Sequence, residues 1–372
     1  MRIGAPKEIK NHEYRVGLTP AAVRELTVRG HDVYVETKAG DAIGLTDEMY
    51  ARAGAKILPK AEEVFAVADM IVKVKEPQPV EIARLKPGQT LFTYLHLAPD
   101  QEQTKGLLVS GAVAIAYETV TDARGGLPLL APMSEVAGRM SIQAGAHCLE
   151  IAQGGRGMLL GGVPGVPSAK VVILGGGVVG TNAARMAMGM EAHVMVLDVS
   201  LHRLYELDLQ FGAQLHTVFS TIDSIEEHVI SADLVIGGVL VPGAAAPKLI
   251  SEKLVKQMKK GSVLVDVAID QGGCAETSHA TTHADPTYRV HDVVHYCVAN
   301  MPGAVARTST FALGNATLPF TLALADLGAE KAMRANPHLR AGLNVYKGTL
   351  TYKAVAEAQK LPFKSAEAVL GM

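Results

Sequence analysis

At 372 residues the chain is longer than one ordinary domain and suits two, each able to bury a core. Its 35 Lys and Arg are balanced by 37 Asp and Glu, so a net charge of -2 provides no basic field for phosphate backbones and speaks against nucleic acid as a partner. Charged and polar residues interrupt every apolar run short of the roughly 18 residues of a membrane span, and MRIGAPKEIKNHEYR carries charge where a secretory signal needs an apolar stretch; we expect a soluble, cytoplasmic protein with no membrane partner.

Along the first third, RIGAPKE, HDVYVET, AKILP, MIVKVK, TLFTYL and AVAIAYE read as short strands separated by helical stretches. One of these, TPAAVRELTVRG, opens with Thr19 as N-cap and Pro20 in the first turn. SEVAGRMSIQAGAHCLE then sets Ser134 and Glu135 ahead of a small-residue connecting helix. From about residue 168 to 300 the alternation restarts with AKVVILG, HVMVLD, AQLHTV, ADLVIGGV, SVLVDVA and VVHYCVA. After Asn300, MPGAVARTSTFALGNATLPFTLALADLG leads from a Pro-Gly turn into a long apolar helix, expected to be buried on many sides and to cross back between domains. The fold class is therefore α/β, two doubly wound Rossmann-like domains with a cleft between them. Residues 1–130 plus 307–372 form a discontinuous first domain and 131–306 a nucleotide-binding one with the connecting helix.

The most specific motif is AKVVILGGGVVGTNAARMAMGMEAHVMVLD, where Gly175, Gly177 and Gly180 satisfy G-x-G-x-x-G between an apolar strand and an alanine-rich helix. Asp198 ends the next strand, where an acid binds the ribose hydroxyls of NAD and repels a 2'-phosphate; Arg203 nearby argues the other way, or else serves the helix surface.

Polar residues gather where strands end. The aperiodic stretch GAPKEIKNHEYRVGLTP carries Lys7, Glu8, Asn11, Glu13 and Arg15, and an arginine there can grip a small carboxylate bidentately, although residue types alone also suit a solvated loop. Lys73 and Lys75 alternate with valines, pointing to one face of a strand that ends at Pro77. His96 follows an apolar strand, either as a structural residue or as a proton carrier. In SVLVDVAIDQGG, Asp270 at the strand's far edge is the better functional candidate and Asp266 suits a buried hydrogen-bonded residue. His279 and His283 have i, i+4 spacing, but Thr281, Thr282 and Pro286 favour a loop over a zinc-binding helix. Cys148, Cys274 and Cys297, odd in number and far apart, read as buried small hydrophobes, and no hydrolase motif is present.

GAPKEIKNHEYRVGLTPAAV and GGGVVGTNAARMAMGMEAHVMVLD resemble the two signatures of the family that joins alanine dehydrogenases to the first domain of proton-translocating nicotinamide nucleotide transhydrogenases. VKVKEP, TYLHLAP, APMSEVAGRMS, VDVAIDQGG and VANMPGAVARTST extend the resemblance over nearly the whole chain. It implies NAD-dependent interconversion of L-alanine with pyruvate and ammonium, with Arg15 and Lys75 as substrate binders and His96 and Asp270 as the acid-base pair. For NAD it implies Ser134, Gly175, Gly177, Val178, Val179, Gly180, Asp198, Arg203, Ser220, Val239, Leu240, Ile269, Val298, Asn300 and Met301, and for the assembly a homohexamer. Glu191 departs from the small residue expected before the second strand of that domain, at a turn away from the chemistry. Two other readings stay open: a transhydrogenase NAD(H)-binding subunit, and an NAD-sensing module, which would not need Arg15, Lys75, His96 and Asp270.

Overall fold

The computed structural model describes residues 1–239 and 246–372. The chain forms two compact units, Met1–Met133 with Val305–Met372, and Ser134–Ala304. Strands β1 (Arg2–Ala5), β2 (Asp32–Glu36), β3 (Lys56–Leu58), β4 (Met70–Val72), β5 (Thr90–Thr93) and β6 (Val113–Ala116) come first. The second unit holds β7 (Lys170–Leu174), β8 (His193–Asp198), β9 (His216–Phe219), β10 (Leu234–Gly237), β11 (Val263–Asp266), β12 (Thr287–Val290) and β13 (Val293–Tyr296); β14 (Leu343–Tyr346) and β15 (Thr349–Leu350) return to the first.

The first sheet runs β15-β14-β6-β5-β4-β1-β2-β3 and the second β12-β13-β11-β10-β7-β8-β9. Neighbours pair in parallel except at β12–β13, β6–β14 and β14–β15. In each sheet the winding reverses once, between β1 and β4 and between β7 and β10, the kind of point where open α/β sheets bind ligands at their carboxyl edge.

Parallel strands covered on both faces need continuous apolar runs, and VVIL of β7 shows why. Val171 and Ile173 pack on one side with Ala183, Ala184 and Ala187, while Val172 and Leu174 pack on the other with Ile225, Val229 and Leu254. The helix Pro20–Val28 starts as expected, with Thr19 Oγ1 accepting from Ala22 N at 3.2 Å. All three cysteines are buried. Among the described residues, no helix is long and apolar enough to cross a membrane.

Several expectations need correction. The connecting helix spans Ala131–Cys148, so Ser134 lies inside its first turn, not ahead of it; Pro132 is tolerated because the early N–H groups have no intrahelical acceptor. β4 stops at Val72, and Lys73 and Lys75 share no strand face: Lys73 is fully buried against Glu8 and Glu81 while Lys75 sits in the following loop. The helix Ala306–Leu327 buries one stripe, including Thr310, Leu313, Thr317 and Leu324, and exposes Thr308, Phe311, Asn315 and Pro319. The segment that leads into it passes from the second unit to the first between Ala304 and Val305. Glu191 does stand at a turn, in the left-handed region at φ 61 just past the helix Val178–Gly189.

Candidate active site

In the second unit, the β7 strand runs into the helix Val178–Gly189 through the glycine loop. Gly175 takes φ +95, and at Gly180 a Cβ would fall 1.8 Å from Gly175 O, so helix and loop close up only on a glycine. At Gly177 a Cβ would meet nothing of the protein within 4 Å. The room there, facing the first amides of a 12-residue helix that begins at Val178 and Val179, suits a dinucleotide pyrophosphate.

Asp198 ends β8 with its carboxylate already oriented: Oδ2 accepts from Gly176 N at 2.7 Å and Oδ1 from Ser200 N at 2.8 Å. Ser220 N donates to Asp198 O at 3.0 Å, which brings the end of β9 alongside. Arg203 braces the loop: Nε donates to Gly176 O, Nη2 to Thr181 Oγ1 and Nη1 to Glu206 Oε2, each at 2.6 Å. Val239 follows β10, while Leu240 falls outside the described residues. Buried Ile269 and exposed Asp270 lie on a 3-10 turn, Val267–Gln271, directly after β11. Val298, Asn300 and Met301 follow β13, so these candidates all leave the carboxyl edge of one sheet. Asp266 is buried, its Oδ2 accepting from Cys274 N at 2.8 Å and Ser278 Oγ at 2.6 Å, and pins the segment that carries Asp270. His279 stacks on Tyr288 and His283 bonds Asn300 O, in a segment without helix.

In the first unit, the loops leaving β1 and β4 and the turn leaving β5 carry Arg15, Lys75 and His96. Arg15 is 2% exposed, which removes it from the solvated-loop alternative. Its bidentate partner within the chain is Glu13, with Nε to Oε1 and Nη2 to Oε2 both at 2.6 Å, while Nη1 donates to Met133 Sδ at 3.2 Å. Burial pushes the Tyr94 hydroxyl up and Arg15 acts against it; the Tyr94 ring stacks on His96 at 5.6 Å. His96 takes φ +48, a costly conformation for a residue with a Cβ, and its N–H donates to Glu118 Oε1 at 2.6 Å. Lys75 Nζ lies 3.4 Å from Glu76 Oε2, which lies 4.0 Å from His96 Nδ1. Lys75 and His96 are therefore gathered around one carboxylate. Beneath them Glu8 accepts from Val74 N at 2.7 Å and binds Lys73 Nζ at 3.0 Å, which holds the loop that presents Lys75. Burial raises Glu8 despite Lys73, as expected when two carboxyls share one buried ammonium.

Residues 4–137 match the family description "Alanine dehydrogenase/PNT, N-terminal domain" and residues 141–353 "Alanine dehydrogenase/PNT, C-terminal domain". The chain belongs to the alanine dehydrogenase/PNT family. It is 62% identical over 371 residues, all of both chains, to a protein of Halomonas elongata named alanine dehydrogenase. A Methanococcus maripaludis protein of the same name is 57% identical over 371 residues, again all of both chains. A solved structure titled L-alanine dehydrogenase superposes with a TM-score of 0.94 at 53% identity, covering 97% of this chain and 99% of that one. A transhydrogenase structure from Sinorhizobium meliloti, at 24% identity and a TM-score of 0.84, covers 94% of this chain and 100% of its own and shares the fold.

Within this member of the alanine dehydrogenase/PNT family, sequence reasoning missed Glu76, Glu118 and Lys10. Glu76 follows Lys75 directly and Lys10 lies in a stretch already singled out, but no periodicity marks either. Lys10 Nζ donates to Glu76 Oε1 at 2.7 Å across 66 residues of chain. Glu118 joins His96 across 22.

Proposed function

We propose that the chain catalyses the reversible NAD-dependent oxidative deamination of L-alanine: alanine, NAD and water give pyruvate, ammonium, NADH and a proton. The observation that carries this reading is the grouping of Lys75 and His96 around Glu76, with the His96 ring stacked on Tyr94: a cationic anchor beside a titratable ring. The full-length similarity to proteins named alanine dehydrogenase supports it. Residues 1–130 with 307–372 are the substrate-binding part and 131–306 the nucleotide-binding part, within a few residues of the bounds of the two compact units.

Arg15 and Lys75 hold the substrate carboxylate and carbonyl oxygen, which fixes the direction in which Cα presents its hydrogen. Bound NAD supplies the nicotinamide ring that accepts that hydrogen as hydride. His96 and Asp270 move the protons: the alanine ammonium must lose one before hydride leaves, and the water that adds to the resulting imine must lose another. A proton then returns to nitrogen as the carbinolamine collapses to pyruvate and ammonia. The glycine loop from Gly175 to Gly180, Ser134, Asp198, Arg203, Ser220, Val239, Leu240, Ile269, Val298, Asn300 and Met301 hold the dinucleotide, and Asp198 selects NAD. We further propose a cytoplasmic homohexamer, which light scattering of the purified protein tests.

Following NADH absorbance with pyruvate and ammonium tests the activity. Oxidation that requires both substrates supports the reading; oxidation with pyruvate alone would make the chain a hydroxy-acid dehydrogenase. No oxidation at all would overturn dehydrogenase chemistry on pyruvate.

A further inference from the structure

Glu76 has no part in the mechanism above, yet it sits where the first unit's cations meet. Oε1 accepts from Lys10 Nζ at 2.7 Å; Oε2 lies 3.4 Å from Lys75 Nζ and 4.0 Å from His96 Nδ1. The side chain is 15% exposed, and Oε2 is buried with no hydrogen bond of normal geometry among the described residues. A buried carboxylate oxygen left this way is costly unless a donor reaches it at some stage.

His96 is the neighbour with the least freedom. Its backbone is held at φ +48 by Glu118, and its ring lies against Tyr94 with 25° between the planes. Lys10 and Lys75, in contrast, are flexible stems that can meet a carboxylate from many directions. The charged and titratable groups facing the imidazole are therefore Glu76 with Lys75 from the loop after β4, Tyr94 from the turn after β5 and Glu118 from the turn after β6. Lys10, from the N-terminal loop, stands behind Glu76.

We propose that Glu76 is the positioning residue of His96: its carboxylate faces Nδ1, keeps the proton of the neutral ring on that nitrogen, and leaves Nε2 to take the proton from substrate. The proposal rests on the reading of His96 as a proton carrier. When Nε2 accepts a proton the ring becomes an imidazolium, and Glu76 supplies its counter-charge beside two lysines that would otherwise oppose it. Glu76 does not itself change protonation. Burial would raise its carboxyl, but Lys75, His96 and Lys10 together hold it down to about 2. If Glu76 only neutralised the two lysines, its loss would act on substrate binding and leave proton transfer alone.

Steady-state kinetics in both directions across pH, on Glu76→Gln, Glu76→Asp, His96→Ala and the Glu76→Gln/His96→Ala double variant, test this. Glu76→Gln is expected to lower kcat tenfold or more and to move the low-pH limb of kcat/KM for alanine to lower pH. It should leave the KM for pyruvate unchanged or lower, because the lysines lose their counter-charge. Glu76→Asp should recover a large part of kcat, and the double variant should be within about threefold of His96→Ala, since residues acting as a unit are not additive. A crippled His96→Ala beside a Glu76→Gln of wild-type kcat and unmoved limb overturns the positioning role and leaves the reading of His96 intact. So does a loss that multiplies with that of His96→Ala, or a raised pyruvate KM at unchanged kcat. A His96→Ala variant with near wild-type turnover overturns the reading of His96 itself. If Glu76→Gln does not fold, Glu76→Asp carries the test through a smaller change of kcat and limb in the same directions, and wild-type behaviour there overturns the role.

Discussion

At Asp198 both carboxylate oxygens are engaged by backbone amides of Gly176 and Ser200, which keeps the group aimed from the end of β8. Arg203 does not offset it, because its guanidinium is committed to Gly176 O, Thr181 and Glu206. A 2'-phosphate at this point meets an uncompensated negative charge. We predict at least a tenfold preference for NAD over NADP, about 1.4 kcal/mol, and a smaller preference in Asp198→Ala; equal kcat/KM with both cofactors in the wild type would refute it. Glu76 gives a second prediction, on stability. Its carboxyl lies at about 2 against the usual 4.5, so its stabilising effect is complete above about 4.5 and fades as pH falls toward 2. The most this coupling contributes is about 3 kcal/mol. In urea unfolding, Glu76→Gln should be less stable than wild type at pH 7, with the gap closing as the pH falls below 4.5. A gap constant with pH would mean that the lost packing, not the charge, set it.

The element proposed to hold the nucleotide is the turn from β7 into the helix Val178–Gly189, and two of its glycines answer to different constraints. Gly180 is required by the protein: a Cβ there meets Gly175 O at 1.8 Å, so Gly180→Ala must push the helix off the strand. We expect destabilisation toward the upper end of the ~1–3 kcal/mol typical of overpacking, together with loss of nucleotide binding. At Gly177 a Cβ meets nothing within 4 Å, and φ is -66, which alanine adopts readily. Gly177→Ala should therefore fold with stability within about 1 kcal/mol of wild type, the scale of a changed N-cap, yet bind NADH at least tenfold more weakly. NADH fluorescence titration beside thermal melts separates the two. An unchanged affinity in Gly177→Ala would show that the nucleotide does not approach this turn.

For the whole molecule, Arg15, Lys75 and His96 belong to one compact unit and the glycine loop, Asp198 and Asp270 to the other. Lys75→Ala should accordingly cripple pyruvate reduction with NADH binding nearly intact; a lost NADH titration signal in folded protein would put Lys75 in the wrong site. Arg15→Ala should do the same to catalysis but is not a clean probe, because it strands buried Glu13 without its bidentate partner. Removing one member of such a buried pair typically costs about 3–5 kcal/mol, whereas Lys75→Ala should cost less, because Glu76 keeps its hydrogen bond from Lys10. Melting temperatures of the two variants check this difference directly.

Features carried by near neighbours in the chain were legible in the sequence. The apolar runs of β7 and β8, the Thr19-Pro20 helix start and the G-x-G-x-x-G turn with Asp198 each depend on backbone preference and side-chain period within a few dozen residues. His96 and Asp270 were legible as polar residues beyond apolar strands and Arg15 as part of a polar stretch, although not in their contacts, whereas Lys75 was expected on the strand itself. What the tertiary structure decided were the partners. That Lys73 would be buried with Glu8 and Glu81 depends on a carboxylate 65 residues away. That Glu76 would stand between Lys75 and His96, and Glu118 under the His96 backbone, depends on β4, β5 and β6 lying side by side. The short strands β12, β14 and β15 likewise depend on the antiparallel partner each one meets in a sheet. Local period writes the elements; long-range charge pairs such as Lys73–Glu8 and Lys10–Glu76 are a property of what the sheets bring together.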